Sequence, residues 1–340
     1  MRLFNALLLI LITSLLSCSS PPKTAISIDG QTMGTTYRIS IPAGTANLAK
    51  LKTTADSLLV DINLSLSTYI DSSLISIINA STDVVSPSLV DNHFNVVYQT
   101  SKQIHEATEG AFNPAVGPLV VAWGFGPEKI QQVPEDKIDE LLALTDFNDF
   151  QLQRGNLIKK NPMAQLDFSA IAKGYGVDLL GVMLEMQNIT DYLVEIGGEV
   201  RSRGMHPAGR AWRVGIDKPL ETPGEQREIQ LAIELQNNAM ATSGNYRNFY
   251  VRDGKKYVHT INPFTGYPEE SELLSVSVLA ENCMTADAYA TAFMVMGLDK
   301  AMTVAEEMQH LEAYFITTGA DGAYVESKTD GFPDAFTPDQ

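Results

Sequence analysis

Asp287 and Thr291 sit four residues apart in the segment Met284-Thr285-Ala286-Asp287-Ala288-Tyr289-Ala290-Thr291. On a helix that spacing brings both oxygen-bearing side chains to one face, a turn apart. Their neighbours are Ala, Tyr and Met, unusual company for a carboxylate. A carboxylate and a hydroxyl so placed can hold a hard divalent cation when phosphate or water completes its shell. The other reading is a carboxylate that stabilises a helix start, where negative charge is favoured. A second segment runs Leu166-Asp167-Phe168-Ser169-Ala170-Ile171-Ala172-Lys173-Gly174-Tyr175-Gly176. Here an Asp closes a strand, a helix begins, and Lys173 falls in its first turns. A helix start beside a lysine suits a phosphate group. The same pattern also fits a packed helix with glycines for close approach. The glycines come too late for a dinucleotide-binding turn, and no Gly-Lys-[Ser/Thr] order makes a phosphate loop.

His259 lies in Val258-His259-Thr260-Ile261-Asn262-Pro263-Phe264-Thr265-Gly266, at a strand end that runs into a proline-glycine turn. That position suits a polar side chain facing a cleft, and it suits a structural histidine as well. The other histidines show no His-Glu-x-x-His and no pair at i, i+4, which argues against zinc. No Gly-x-Ser-x-Gly elbow is present. The stretch from Gly110-Ala111-Phe112-Asn113-Pro114 to Trp123-Gly124-Phe125-Gly126-Pro127 is rich in glycine and aromatic residues. Flat ligands favour such walls, and Met33 and Tyr69 are candidates to extend them. The alternative is an irregular loop packed on the core.

These residues need elements to hold them. Thr36 to Ile41 alternates, with Tyr37, Ile39 and Ile41 on one side, and predicts a strand. Leu48, Leu51, Ala55, Leu58, Leu59 and Ile62 recur at helical spacing, which predicts an amphipathic helix over Asn47 to Leu66. A second helix is expected over Asn92 to Thr108, and a third, short one starting with Pro134. Gln165 to Phe168 reads as a strand end, with Ser169 capping a helix that reaches about Met186. Strands are expected at Tyr192 to Ile196, Trp212 to Ile216, Ile229 to Leu235, Tyr257 to Ile261 and Leu274 to Leu279. A last helix is expected over Thr285 to Met296. Strands and helices mix without strict alternation, so the expected class is α+β. No internal linker divides residues 26–330, which are expected to form one domain, with 331–340 as a C-terminal tail.

The chain has 340 residues and a formal charge of −17. That charge argues against nucleic acid and against a polybasic membrane contact. Arg2 followed by the apolar run Leu3 to Leu16 is too short for a membrane span, which takes about 20 residues. It reads as a signal peptide over residues 1–17. The run ends in Leu15-Leu16-Ser17-Cys18, which resembles a bacterial lipobox, with Cys18 the lipidated residue. Leu16 departs from the usual small residue there, and an ordinary signal peptide with an incidental cysteine is the alternative. Residues 18–25 would then be a tether holding an extracytoplasmic, periplasm-facing domain near the bacterial membrane. The other cysteine, Cys283, lies in an apolar stretch and reads as a buried, inert thiol.

Taken in order, the segments resemble the ApbE family of FAD:protein FMN transferases. The matching stretches are Thr32 to Tyr37, Leu66-Ser67-Thr68-Tyr69, Gly110 to Gly117, Trp123 to Gly126, Leu166 to Asp178, Ile196-Gly197-Gly198-Glu199, Ala241-Thr242-Ser243-Gly244, His259 to Gly266 and Thr285 to Thr291. The resemblance implies an α+β fold with one FAD in a cleft. It implies FAD contacts from Met33, Tyr69, Ala111, Phe112, Asn113, Asp167, Lys173, Ser243, Gly244, His259 and Ile261. It implies Mg2+ on Asp287, Thr291 and the backbone oxygen of Ala170. The implied reaction is attack by a Thr or Ser hydroxyl of a target protein on the FMN-side phosphorus of FAD, with AMP leaving. His259 is the candidate base and Asp167 the alternative. Implied targets are flavoprotein subunits of membrane redox complexes. Two departures bear on the site: Ala290 stands where some members carry a further acidic ligand, and Asn113 where many carry Asp. Hydrolysis of FAD to FMN and AMP, and plain flavin binding by a lipoprotein, are the alternatives to transfer.

Overall fold

The computed structural model describes residues 24–82, 90–126, 133–219, 228–245, 249–252, 255–269 and 271–336; the expected signal peptide, Cys18 and the expected tether up to residue 23 lie outside the described residues. In chain order the strands are β1 (Ala25–Thr32), β2 (Thr35–Pro42), β3 (Phe150–Gln153), β4 (Asn156–Lys159), β5 (Tyr192–Ile196), β6 (Glu199–Arg203), β7 (Trp212–Asp217), β8 (Ile229–Leu235), β9 (Ala239–Gly244), β10 (Phe249–Arg252), β11 (Lys255–Val258), β12 (Leu273–Ala280), β13 (Glu312–Thr318) and β14 (Tyr324–Lys328). The helices are α1 (Leu48–Leu66), α2 (Leu74–Ala80), α3 (Asn92–Ala107), α4 (Gly117–Ala122), α5 (Glu135–Leu142), α6 (Ala172–Glu185), α7 (Cys283–Met296) and α8 (Leu298–Glu307).

Eight strands make one sheet in the order β1-β2-β5-β6-β9-β12-β13-β14, with every neighbouring pair antiparallel. Strands from both ends of the chain meet in it, so the fold is a single α+β domain. Alternation along the strands gives the sheet two apolar faces. On β9, Ala239 and Ala241 face the large core under the helices, while Met240 faces a smaller core with Val214, Ile233, Tyr314 and Phe332. The β7–β8 hairpin supplies part of that second layer. A third cluster joins Leu119, Trp123, Ile138 and Ile261.

The expected elements appear with changed ends. The α1 helix starts at Leu48 because the Asn47 side chain accepts from the Lys50 N–H at 3.1 Å. Pro134 is the N-cap of α5 and not its first helical residue; its ψ of 141° is extended. Gln165 to Phe168 forms no strand, only a single parallel bridge from Gln165 to Val116. Ser169 does not cap α6: its own N–H donates to Asp167 Oδ1 at 2.6 Å, the chain turns, and the helix begins at Ala172 with no side-chain cap at Ile171. The strand expected to reach Ile261 ends at Val258, and Ile261 bridges only Pro268. There Asn262 Oδ1 accepts from the Phe264 and Thr265 N–H groups and bends the chain. Strand β1 begins at Ala25, the last residue of the expected tether. Folded packing also runs past residue 330, since Phe332 is buried and stacked on Tyr314.

Helices α6 and α7 cross at their first turns. A Cβ on residue 174 would lie 2.3 Å from the Cys283 carbonyl oxygen. Alanine normally stabilises a helix relative to glycine. Here it must push two backbones apart, and we expect Gly174→Ala to lower stability by about 1–3 kcal/mol. The urea unfolding midpoint measures it; an unchanged or raised midpoint contradicts so close a crossing.

Candidate functional site

The inner half of the site is the α6–α7 crossing. Asp287, 3% exposed, accepts from the Gly174 N–H through Oδ2 at 2.9 Å. In return Asp178 of α6 accepts from the N–H groups of Cys283 and Met284, at 3.0 and 2.8 Å. Each helix thus supplies the carboxylate that caps the other, which is where orphan N–H groups need acceptors. Asn282 completes α7 by accepting from the Thr285 N–H at 2.9 Å. Lys173 Nζ lies 2.6 Å from Glu199 Oε1 and 3.7 Å from Asp287 Oδ1. One helical turn beyond Asp287, the Thr291 hydroxyl meets the Ser243 hydroxyl at 3.2 Å, at the end of β9 beside Gly244.

Burial is set against charge pairing throughout this cluster. It pushes the Asp287 carboxyl above its ordinary value, although Lys173 pulls the other way. For Lys173, burial acts to lower the value, but the Asp287 and Glu199 charges outweigh it and hold the ammonium protonated. Asp178 is raised by burial, against the Cys283 and Met284 N–H groups and Arg201. Burial also raises Cys283, which is fully buried, as expected of an inert thiol.

Met33 reaches this half from above. It and Gly34 form the β1–β2 turn with φ of 49° and 71°, the left-handed pair that a tight hairpin needs. The Met33 methyl comes within 3.3 Å of where a Cβ on Gly176 would lie.

The outer half is built on loops. Asp167, half-buried, donates its N–H to the Pro114 carbonyl at 2.8 Å. Ala111 and Phe112 are buried beneath this segment's neighbour loop. Asn113 is fixed by its own amide: Nδ2 donates to the Thr145 carbonyl at 3.0 Å and Oδ1 accepts from the Ala115 N–H at 2.9 Å. A carboxylate cannot make the first of these bonds, so the departure from Asp is written into the loop. Tyr69 is 60% exposed and donates to the Phe125 carbonyl at 2.7 Å. Partial burial, then the Asp167 charge, raise its hydroxyl above the ordinary value. Trp123 Nε1 donates to the Gly266 carbonyl at 2.8 Å, tying the glycine-aromatic loop to the turn that follows His259 and Ile261. Ile261 is buried against Leu119 and Trp123, and His259 is half-buried just before it. The run from Asp167 through half-buried Ala170 to Lys173 joins the two halves.

Glu199, Asp178 and Asn79 are the polar residues that sequence reasoning did not single out. Glu199 and Asp178 had a signal, a carboxylate inside glycine-rich or apolar sequence. Asn79 had none.

A lysine and oxygen donors at two crossed helix starts, with aromatic side chains on the neighbouring loops, suit a nucleotide-handling protein. The chain belongs to the ApbE family, whose model matches residues 33–315. It is 38% identical over 325 residues to the FAD:protein FMN transferase of Haemophilus influenzae, covering 93% of each chain. It is 40% identical over 299 residues to that of Vibrio cholerae, covering 87% of this chain and 88% of the relative. Among solved structures, the flavin transferase ApbE from Vibrio cholerae superposes with a TM-score of 0.82 at 37% identity, over 92% of this chain and 99% of that one. The apo flavinyl transferase ApbE of Pseudomonas stutzeri gives 0.81 at 30% identity, over 92% of this chain and 96% of that one.

Asn79 clamps the backbone just before Asp167: its Nδ2 donates to the Leu166 carbonyl and its Oδ1 accepts from the Leu166 N–H, both at 2.8 Å. Its helix end is held in turn by buried Lys159, which donates to the carbonyls of Asn79 and Ser81 at 2.7 and 3.0 Å. Asn79→Ala strands two backbone groups, and leaving such groups unpaired costs about 1–3 kcal/mol each. We expect a lower melting temperature and faster exchange of the Leu166 amide. Unchanged exchange at Leu166 would show that the clamp does not hold this segment.

Proposed function

We propose that this protein transfers the FMN portion of FAD to a Thr or Ser hydroxyl of an acceptor flavoprotein and releases AMP. The observation that carries the reading is the enclosed Glu199–Asp287 pair with the partly exposed Lys173 ammonium at the crossed helix starts. It offers an ammonium to a pyrophosphate and a carboxylate that a divalent cation would take. The acceptor oxygen forms a bond to the FMN-side phosphorus while the bond from that phosphorus to the AMP oxygen breaks. The acceptor's proton passes to His259, whose imidazole titrates near neutrality when unperturbed. Asp167 is the second candidate for that proton. Lys173 stabilises charge growing on the phosphates. Met33, Tyr69, Ala111, Phe112, Asn113 and Ile261 form the flavin wall, and Ser243 and Gly244 border the phosphates.

Mg2+ fits the residues present. Asp287, Thr291 and the Ala170 carbonyl are all oxygen donors, the chemistry a hard cation takes. Ala290 is fully buried and adds no donor, so Asp287 is the one acidic ligand of this set. Among the described residues no group of three or more His, Cys, Asp or Glu side chains could hold a metal, which suits a site completed by phosphate oxygens. When bound there, the cation would neutralise charge on the leaving AMP.

The test is purified protein with FAD and Mg2+, with and without an acceptor carrying the target hydroxyl. Flavin fluorescence on the acceptor supports transfer; free FMN and AMP alone would replace the reading with hydrolysis, and intact FAD with simple binding. In this assay His259→Ala should slow transfer by about 10²–10⁴-fold, a larger loss than the accompanying fall in FAD affinity. Asp287→Ala should abolish Mg2+-dependent transfer, with Thr291→Val milder, because a neutral ligand is lost in place of a charged one. Wild-type rate and Mg2+ dependence in Asp287→Ala would remove the metal assignment.

We further propose lipidation at Cys18, which would hold the domain on the extracytoplasmic side of the membrane, beside flavoprotein subunits of membrane redox complexes. Support comes from the apolar run ending in Leu15-Leu16-Ser17-Cys18. Cys18→Ser should move the protein from the membrane to the soluble fraction and remove the lipid mass. A variant that still pellets with that mass refutes the assignment.

A further inference from the structure

Glu199 opens β6 directly after the Gly197–Gly198 turn, and its side chain is 5% exposed. Gly197, with φ of 64°, is held against Thr35: a Cβ there would lie 2.9 Å from the Thr35 methyl, and only in ordinary contact, at 3.5 Å, with Glu199 Oε2. Oε1 takes the Lys173 ammonium at 2.6 Å, while Oε2 is buried with no hydrogen-bond partner among the described residues. A buried carboxylate left half satisfied is costly and calls for a reason. The cluster holds two carboxylates and one ammonium, so it keeps an uncompensated negative charge.

The ammonium has both carboxylates within reach. It hydrogen-bonds Glu199 and stands 3.7 Å from Asp287 Oδ1, too far for a hydrogen bond. The Lys173 side chain is 30% exposed, so close packing alone does not fix its ammonium and its carboxylate partner does. A lysine closing on Asp287 would occupy the oxygen that a divalent cation needs at about 2.0–2.1 Å. We infer that Glu199 is a positioning residue: it holds the Lys173 ammonium off Asp287 and so keeps that carboxylate available to a divalent cation. This rests on the reading of Asp287 as a metal ligand. Glu199 itself need not touch the metal.

The test uses the full-length protein and Mn2+ alone, an oxygen-seeking stand-in for Mg2+ whose free ion is counted by electron paramagnetic resonance. Outer-shell partners of metal ligands typically change affinity about 10–100-fold, and Glu199→Gln should weaken Mn2+ binding by that factor. Lys173→Met/Glu199→Gln should bind Mn2+ as tightly as Lys173→Met does, because no ammonium remains to be held. This double variant leaves neither member of the ion pair stranded in the interior, so it provides the test even if Glu199→Gln fails to fold. A structural role for Glu199 would lower affinity equally in both backgrounds, and that result overturns the inference. Unchanged affinity in Glu199→Gln also overturns it, while leaving the transfer reading intact if the wild-type protein still flavinylates its acceptor. Wild-type protein that binds no Mn2+ overturns the metal assignment and this inference together.

Discussion

The reciprocal capping of α6 and α7 is the constraint on which the rest of the site depends. Two helix starts brought together would confront like partial charges. Here each start is answered by a carboxylate from the opposite helix, Asp287 for Gly174 and Asp178 for Cys283 and Met284. Hydrogen bonds to charged groups contribute roughly 1.5–3 kcal/mol each, which offsets part of the cost of burying two anions. The geometry is demanding. It works because residue 174 has no side chain and the two backbones can touch. Lys173 is carried by the same turn, so its reach to Asp287 is fixed by the crossing and not by a flexible loop.

The sheet explains why three distant parts of the chain meet there. Its antiparallel order places β6 between β5 and β9, so the glycine turn that leads into Glu199 lies beside α6, and the end of β9 lies beside α7. Arg201, two residues after Glu199 on β6, pairs with Asp178 and Glu185. One strand therefore supplies an anion to α6 at its start and a cation further along. The same pattern of charge both orients the helix against the sheet and leaves the active end net negative.

Much of this was legible in the sequence, and the limits have physical causes. The 3.6-residue and two-residue periods located α1 and β2 because each has one wet face and one dry face. The i, i+4 pair Asp287 and Thr291 was readable from its spacing, although α7 is enclosed on all sides. The start of α6 was not. Ser169 looks like a cap, but Asp167 takes that role for the turn before the helix, and the true acceptor for α6 arrives from Asp287, 113 residues after Gly174. A tertiary cap leaves no local signature. Asn79 and Lys159 are invisible for a related reason: they bind backbone carbonyls and amides, which carry no sequence identity. Asn113 is a departure from Asp visible in the sequence, but the bond from its amide to the Thr145 carbonyl is not.

The two halves of the site differ in burial as their chemistry demands. Asp287 and Glu199 are almost fully enclosed, whereas Tyr69 is 60% and Phe264 59% exposed. Charges gain strength as water is removed, so a region that must hold phosphate and a cation is best set between rigid helices. Aromatic rings recognise a flat ligand by contact area and tolerate water at their edges. Such rings can stand on loops, provided the loops are tied down, as the Trp123–Gly266 and Tyr69–Phe125 bonds do. In the proposed reading an open rim would also leave room for a second macromolecule to approach the reacting phosphorus. Whether a protein hydroxyl or water arrived there would then be decided at this open side, because the charges at the base would act on the phosphates in the same way for either nucleophile.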